Sequence, residues 1–240
     1  MLQRKDNRSF DEIRPVKFTR DFTKNADGSV LVEFGGTKVI TTVMIEDKVP
    51  RFMAESGKGW LTAEYSLLPG STDKRVQRDR GAMISGRTQE IQRLIGRCLR
   101  SAIDLSKIGE RTIYVDADVI QADGGTRTAS ISGGFVALYD AMLKLQREGL
   151  IKDFPILEPV AAISVGILNG QTLLDVDYSE DSKADADANI VMTESGKILE
   201  FQATSEKNPM DRRKFLEIAD MAEKGIKNII QIQKRCLGLN

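Results

Sequence analysis

Asp123-Gly-Gly-Thr-Arg-Thr-Ala-Ser-Ile-Ser132 is where a strand gives way to a helix. Upstream, residues 112 to 120 alternate, with Ile113, Val115, Ala117 and Val119 on one face and Tyr114, Asp116 and Asp118 on the other. That is the period of a half-buried strand. Downstream, Ile131, Phe135, Leu138, Met142 and Leu145 keep helical spacing up to Gly149, which reads as a C′ residue. Gly133 and Gly134 predict very close backbone packing, since each costs about 1 kcal/mol relative to Ala inside a helix. At the junction, Gly124 and Gly125 let the backbone pass close to a ligand. A helix opening presents free N–H groups and the positive end of its dipole, which suits an anion and above all a phosphate. Arg127 adds a planar fork able to grip two phosphate oxygens. A plain Gly-Gly turn with a threonine cap would use the same residues, so the remainder of the chain has to decide.

Towards the N-terminus, residues 28 to 34, Gly35-Gly36 and residues 37 to 45 read as a hairpin, with a further turn at residues 25 to 28. Residues 47 to 85 read as a long irregular loop with Trp60 and Tyr65 embedded in it. Ile91, Leu94, Ile95, Cys98, Leu99, Ala102 and Ile103 predict a helix from about Thr88 to Lys107. Towards the C-terminus, residues 161 to 176 read as a hairpin through a type I′ turn at Asn169-Gly170. Asn189 to Thr204 form another around Glu194-Ser195-Gly196, and Asn208-Pro209 caps a last helix with Phe215, Ile218, Ala222, Ile226, Ile229 and Ile230 facing inward. Strands and helices are segregated rather than alternating. The expected class is α+β, with mixed β-sheets and packed helices in a single domain over residues 1–240.

The chain contains no histidine, which removes Ser-His-Asp and Cys-His catalysis and the usual catalytic zinc site. Acid–base chemistry falls to carboxylates, Lys, Tyr or Cys, and any metal should be a hard ion held by oxygen. Cys98 and Cys236 lack metal spacing and are expected reduced in a cytoplasmic protein. Residues 1 to 10 have no apolar core of a secretory signal, and no apolar run reaches membrane-spanning length. A formal net charge of zero hides segregation. Residues 74 to 100 hold eight basic residues against two acids, and residues 175 to 187 hold six acids against Lys183. The first stretch suits a polyanion and the second a cation, although solvated surface is the plainer reading of each.

Three features are expected to share one cleft. Besides the anion turn, Ser85-Gly86-Arg87-Thr88 opens another helix and aims Arg87 at the same anion. The acidic segment from Asp177 to Asp187 follows a buried-looking strand. Its carboxylates suit magnesium or manganese, or one of them carries a raised pKa and acts as a general acid. A polar turn rich in Asp is the structural alternative. Arg75, Arg78 and Arg80, with Lys58, Trp60 and Tyr65 nearby, interleave charge with aromatics as in grips on single-stranded RNA.

Together with Gly59-Trp-Leu-Thr-Ala-Glu-Tyr65, Asp116 to Ile131, Leu174 to Ser182 and Asp187-Ala-Asn-Ile-Val-Met192, these segments resemble the bacterial ribonuclease PH family over nearly the whole chain. That family is similar to polynucleotide phosphorylase domains and exosome core subunits, and its fold resembles the second domain of a small-subunit ribosomal protein. The resemblance implies a nucleotidyltransferase that uses inorganic phosphate to trim the 3′ ends of tRNA precursors, releasing nucleoside diphosphates reversibly. It implies phosphate bound by Arg87, Gly125, Thr126 and Arg127, a metal or acid–base pair at Asp181 and Asp187, and tRNA contact through Arg75, Arg78 and Arg80. It further implies a homo-hexamer, a trimer of dimers. Of the two aspartates, Asp187 is the sequence candidate for protonating the leaving oxygen. At Gly70 and Ala82 the chain lacks basic residues that relatives often carry. Two other readings use the same residues differently. One is a catalytically silent RNA-binding ring subunit. The other is a small-molecule kinase, which would need a Gly-x-x-x-x-Gly-Lys-Ser/Thr loop that this chain lacks.

Overall fold

The computed structural model describes residues 3–79, 84–207 and 209–239. Strands β1 (Val16–Arg20), β2 (Gly28–Phe34) and β3 (Thr37–Glu46) form the expected antiparallel meander. Gly35, at φ +55°, turns the chain between the last two. Strand β4 (Trp60–Leu67) runs parallel to β5 (Thr112–Gln121), and helix α1 (Gly86–Arg100) makes the crossover. The first sheet is therefore mixed, in the order β1-β2-β3-β5-β4. The second is antiparallel, in the order β7-β6-β8-β9, built from β6 (Val160–Leu168), β7 (Gln171–Leu174), β8 (Ala186–Thr193) and β9 (Ile198–Ser205). Helices α2 (Thr126–Arg147), α3 (Tyr178–Asp181) and α4 (Arg212–Leu237) complete the α+β arrangement.

Several expectations shift. Strand β4 lies inside the stretch read as irregular; Leu61, Ala63 and Tyr65 alternate inward, a period-two signal masked by the flanking glycines. Helix α1 stops at Arg100 rather than Lys107. Ile103 bridges Ile156, and the Asp104 amide donates to Pro155 O at 2.8 Å, so the apolar spacing continues into a β-bridge and a single 3₁₀ turn, Leu105–Lys107. Asp211, not Asn208-Pro209, caps α4, its carboxylate accepting from Lys214 N at 2.8 Å; Asn208 lies outside the described residues. Phe215 is 41% exposed and packs on Phe201 instead of facing the core.

Helix α2 sits between the two sheets, touching β2, β3 and β5 on one side and β6 and β8 on the other. Sixteen of its 22 residues are buried, so it is covered nearly all round rather than along one stripe. The close packing expected at Gly133 is real: a Cβ there would lie 1.9 Å from Val32 Cγ2. Likewise a Cβ on Gly28 would lie 2.0 Å from the Ala137 carbonyl oxygen. These contacts fix the N-terminus of α2 at the end of β5, facing β6, β8 and β9. Helix α4 covers β6, β7 and β8 and reaches β1. Among the described residues no helix is long and apolar enough to cross a membrane. Burial pushes the Cys98 thiol up to about 12, with Glu200 adding to it, so it is no ready nucleophile; Cys236 is half-buried.

Candidate phosphate and RNA-end site

A cavity of about 1350 Å³ opens between the anion turn, the start of α1 and the inner face of the second sheet. Arg87, Gly125, Thr126, Arg127, Asp181 and Asp187 all line it, so the three segments singled out in the sequence do meet. Gly124 (φ +75°) and Gly125 (φ +64°) both hold left-handed backbone, which lets the chain swing from β5 into α2. Gly125 is the N-cap and makes no side-chain capping bond, so the first N–H groups of α2 have no intrahelical partner and face the cavity wall. The Thr126 hydroxyl is already engaged, 2.8 Å from Tyr65 Oη. What Thr126 offers an anion is therefore its amide.

Arg127 is held from two sides: Nη1 donates to Gln202 Oε1 at 2.8 Å, and Glu90 lies 3.6 Å away. Arg87 follows Ser85, whose hydroxyl accepts from Thr88 N at 3.1 Å as the N-cap of α1. Asp79 secures this start by accepting from Ser85 N and from the Thr88 hydroxyl. Both guanidiniums act on the same two neighbours. Burial raises the Tyr65 hydroxyl, while Thr126, Arg87 and Arg127 pull it down. Asp181, at the end of α3, is raised from its ordinary value by partial desolvation in the cleft and then by the Asp187 carboxylate, against the pull of Arg87 and Arg127. Its surface opens onto the cavity, so the walls of the cleft rather than full burial supply the desolvation.

Asp187 stands on β8, not in the acidic loop as the sequence reading had it. It pairs across the second sheet with Gly166 and Thr204, and the neighbouring row is Ser164, Asn189 and Gln202. Of these polar side chains, Ser164 and Gln202 went unnoticed in the sequence. Ser164 is the sole polar side chain in β6, and that was the signal available. It is 6% exposed, and its hydroxyl has no partner among the described residues.

The N-terminal segment, read in the sequence only as charged, straps the acidic turn in place. Arg4 is buried and donates two parallel hydrogen bonds to Glu180, from Nε to Oε1 and from Nη2 to Oε2, both at 2.8 Å. Glu180 and Asp177 form a capping box on α3, and Leu174 N donates to Phe10 O at 2.8 Å. Burial works against the charge of Arg14, but Asp175, Asp123 and Asp177 more than offset it. Of the arginine-rich stretch, Arg75 and Arg78 are exposed and outside the cavity lining, Lys74 reaches the lining, and Arg80 and Ala82 lie outside the described residues. No group of three or more Cys, Asp or Glu side chains placed for a metal occurs among the described residues; Asp181 and Asp187 both line the cavity.

The sequence matches the description "3' exoribonuclease family, domain 1" over residues 12–144 and "domain 2" over residues 158–225. The protein named Ribonuclease PH of Corynebacterium kroppenstedtii is 54% identical over 236 residues, 98% of this chain and 92% of that one. Its namesake in Corynebacterium efficiens is 52% identical over 237 residues, 98% and 97% of the two chains. In fold, the chain is similar to rice Rrp46, with a TM-score of 0.79 at 20% identity over 98% of this chain and all of that one. It is similar also to the Archaeoglobus fulgidus exosome with RNA bound to the active site, with a TM-score of 0.81 at 22% identity over 95% and 92% of the chains. Two family matches that follow the two sheets, and relatives alike over full length, agree with the cavity between those sheets: the chain belongs to the ribonuclease PH family of 3′ exoribonucleases.

Proposed function

We propose that this chain removes nucleotides one at a time from RNA 3′ ends, tRNA precursors foremost, with inorganic phosphate as the attacking group. The observation that carries this is the meeting of two helix-opening arginines, a free helix N-terminus and a raised carboxyl in one cavity. Phosphate sits against the amides of Gly125, Thr126 and Arg127 and between the Arg87 and Arg127 guanidiniums. One of its oxygens forms a bond to the terminal phosphorus, and the bond to the 3′-oxygen of the preceding nucleotide breaks in line. Both arginines offset the charge that develops on the phosphoryl oxygens. The departing 3′-oxygen takes its proton from Asp181. The raised carboxyl favours that assignment over Asp187, the sequence candidate. Products are a nucleoside diphosphate and an RNA shorter by one residue, and the reverse reaction adds a nucleotide.

Asp187 would hold magnesium or manganese, joined by the Asp181 oxygens only once that carboxyl has given up its proton, and the cation would supply further positive charge beside the phosphate. Arg75, Arg78 and Arg80 bind the body of the tRNA, and six chains form a ring as a trimer of dimers in the cytoplasm. A 3′-labelled oligonucleotide should yield nucleoside diphosphates only when phosphate is added; monophosphates released equally in phosphate-free buffer would overturn the reading. Arg87→Ala should raise the KM for phosphate about tenfold to a hundredfold, because a hydrogen bond to a charged group contributes about 1.5–3 kcal/mol.

A further inference from the structure

The site is assembled from two segments remote in sequence, the anion turn at residues 123–127 and the acidic turn at residues 175–181. They touch through backbone. A Cβ on Gly124 would lie 2.7 Å from Val176 O, 2.8 Å from Asp177 C and 2.9 Å from Tyr178 N. Arg14 is fastened to both. Its Nε donates to Asp175 Oδ2 at 3.0 Å and its Nη2 to Oδ1 at 2.7 Å, and its backbone N adds a third bond to Oδ2 at 2.8 Å. The remaining reach of the same fork goes to the anion turn, from Nη1 to Asp123 O at 2.5 Å and from Nη2 to Gly124 O at 3.5 Å. The two side chains are 3% and 1% exposed. Asp175 itself holds a left-handed φ of +52°, and its N–H donates to Ser164 O at 2.7 Å.

We propose that Arg14 is a positioning residue for phosphorolysis: it sets the separation between the bound phosphate and the Asp181 carboxyl without touching either. A sealed ion pair is a weak source of stability, since an apolar pair of like volume commonly serves as well. What an apolar pair cannot do is tie two backbone carbonyls of one turn to a carboxylate of another. The guanidinium fork spans both at once, and a lysine ammonium has a single point of attachment. Arg4 holds the acidic turn at Glu180 and also at Leu174 O and Asp175 O, and Arg8 donates to Asp175 O. Among the described residues, only Arg14 carries that hold across to the anion turn.

The inference rests on the phosphorolytic reading, and the experiment separates the two. Arg14→Lys is compared with Arg20→Lys. Arg20 forks onto Asp140 at 2.8 and 2.6 Å and onto Cys236 O at 3.0 Å, and none of these residues lines the cavity. Tm, kcat and the phosphate KM are measured for wild type and both variants on one oligonucleotide. Both variants should lower Tm. Only Arg14→Lys should lower kcat, by roughly tenfold to a hundredfold, the scale on which small misplacements act, with the phosphate KM within a few-fold of wild type. Arg14→Lys with wild-type kcat, or an equal kcat loss in Arg20→Lys, overturns the inference. If Arg14→Lys does not fold, Asp175→Asn serves, which keeps the volume while weakening the tie; the same kcat loss supports the inference and an unchanged kcat overturns it. A wild-type protein that makes no nucleoside diphosphate with phosphate present refutes the parent reading instead.

Discussion

Asp181 shows how much a single carboxyl can report about the site. Desolvation in the cleft raises it first and the Asp187 charge second, while Arg87 and Arg127 oppose both. Removing either influence should move it in a known direction. Asp187→Asn should lower the Asp181 pKa and Arg87→Met should raise it, read by carbon NMR titration of the carboxyl. A shift of the wrong sign in either variant would show that these groups do not share a site. Because the fold raises Asp181 above its unfolded value, its contribution to stability is complete below that unfolded value. It is lost as pH climbs through the folded one. The arginines were legible in the sequence because each follows a helix-start signal, Ser85 in one case and Gly125 in the other. Arg14 was not, since its partner Asp175 is 161 residues away and no local pattern links them. Gln202 and Ser164 were hidden for a related reason: a polar residue in a strand declares itself only once the facing side of the sheet is known.

Helix α2 carries the same lesson to the scale of an element. Its start and end were readable from the two glycines before it and from Gly149 after it. Its burial on all sides was not, because an apolar stripe says nothing about what a second sheet will cover. Gly133 measures that burial. In a free helix, Gly133→Ala would gain about 1 kcal/mol in propensity. Here the new methyl would lie 1.9 Å from Val32 Cγ2, and overpacking of this kind costs about 1–3 kcal/mol. The collision should win, leaving the variant less stable by up to about 2 kcal/mol in urea unfolding; a more stable variant would mean that β2 gives way easily. Strand β4 and the position of Asp187 on β8 were misjudged for one shared reason. Glycine and acid-rich surroundings look like loop, yet the inward alternation of Leu61, Ala63 and Tyr65 was present throughout.

For the whole molecule, Arg87, Arg127, Asp181 and Asp187 all line one cavity, whereas Arg75 and Arg78, proposed to bind RNA, do not. Arg75 and Arg78 stand on an exposed stretch beyond its rim. Chemistry should therefore be complete in a single chain, and the grip on a long RNA should need several arginine stretches brought together, as avidity requires. The outside of the chain offers material for such an assembly. Strand β9 is a bare sheet edge, Ile198 is 54% exposed, and Phe215 and Leu216 of α4 are 41% and 48% exposed. Phe201 and Phe215 stack at 4.5 Å beside the partly buried Met210, and a neutral chain raises no barrier of like charge to self-association. The proposed ring of six predicts, by light scattering, six times the 26.6 kDa of one chain. Phe215→Glu, which places a charge in that apolar patch, should yield smaller species. On a short oligonucleotide the smaller species should keep the kcat of the ring, and on a structured RNA their KM should rise. Loss of kcat on the short substrate would mean instead that a neighbouring chain completes the cavity, and the one-chain site would be wrong.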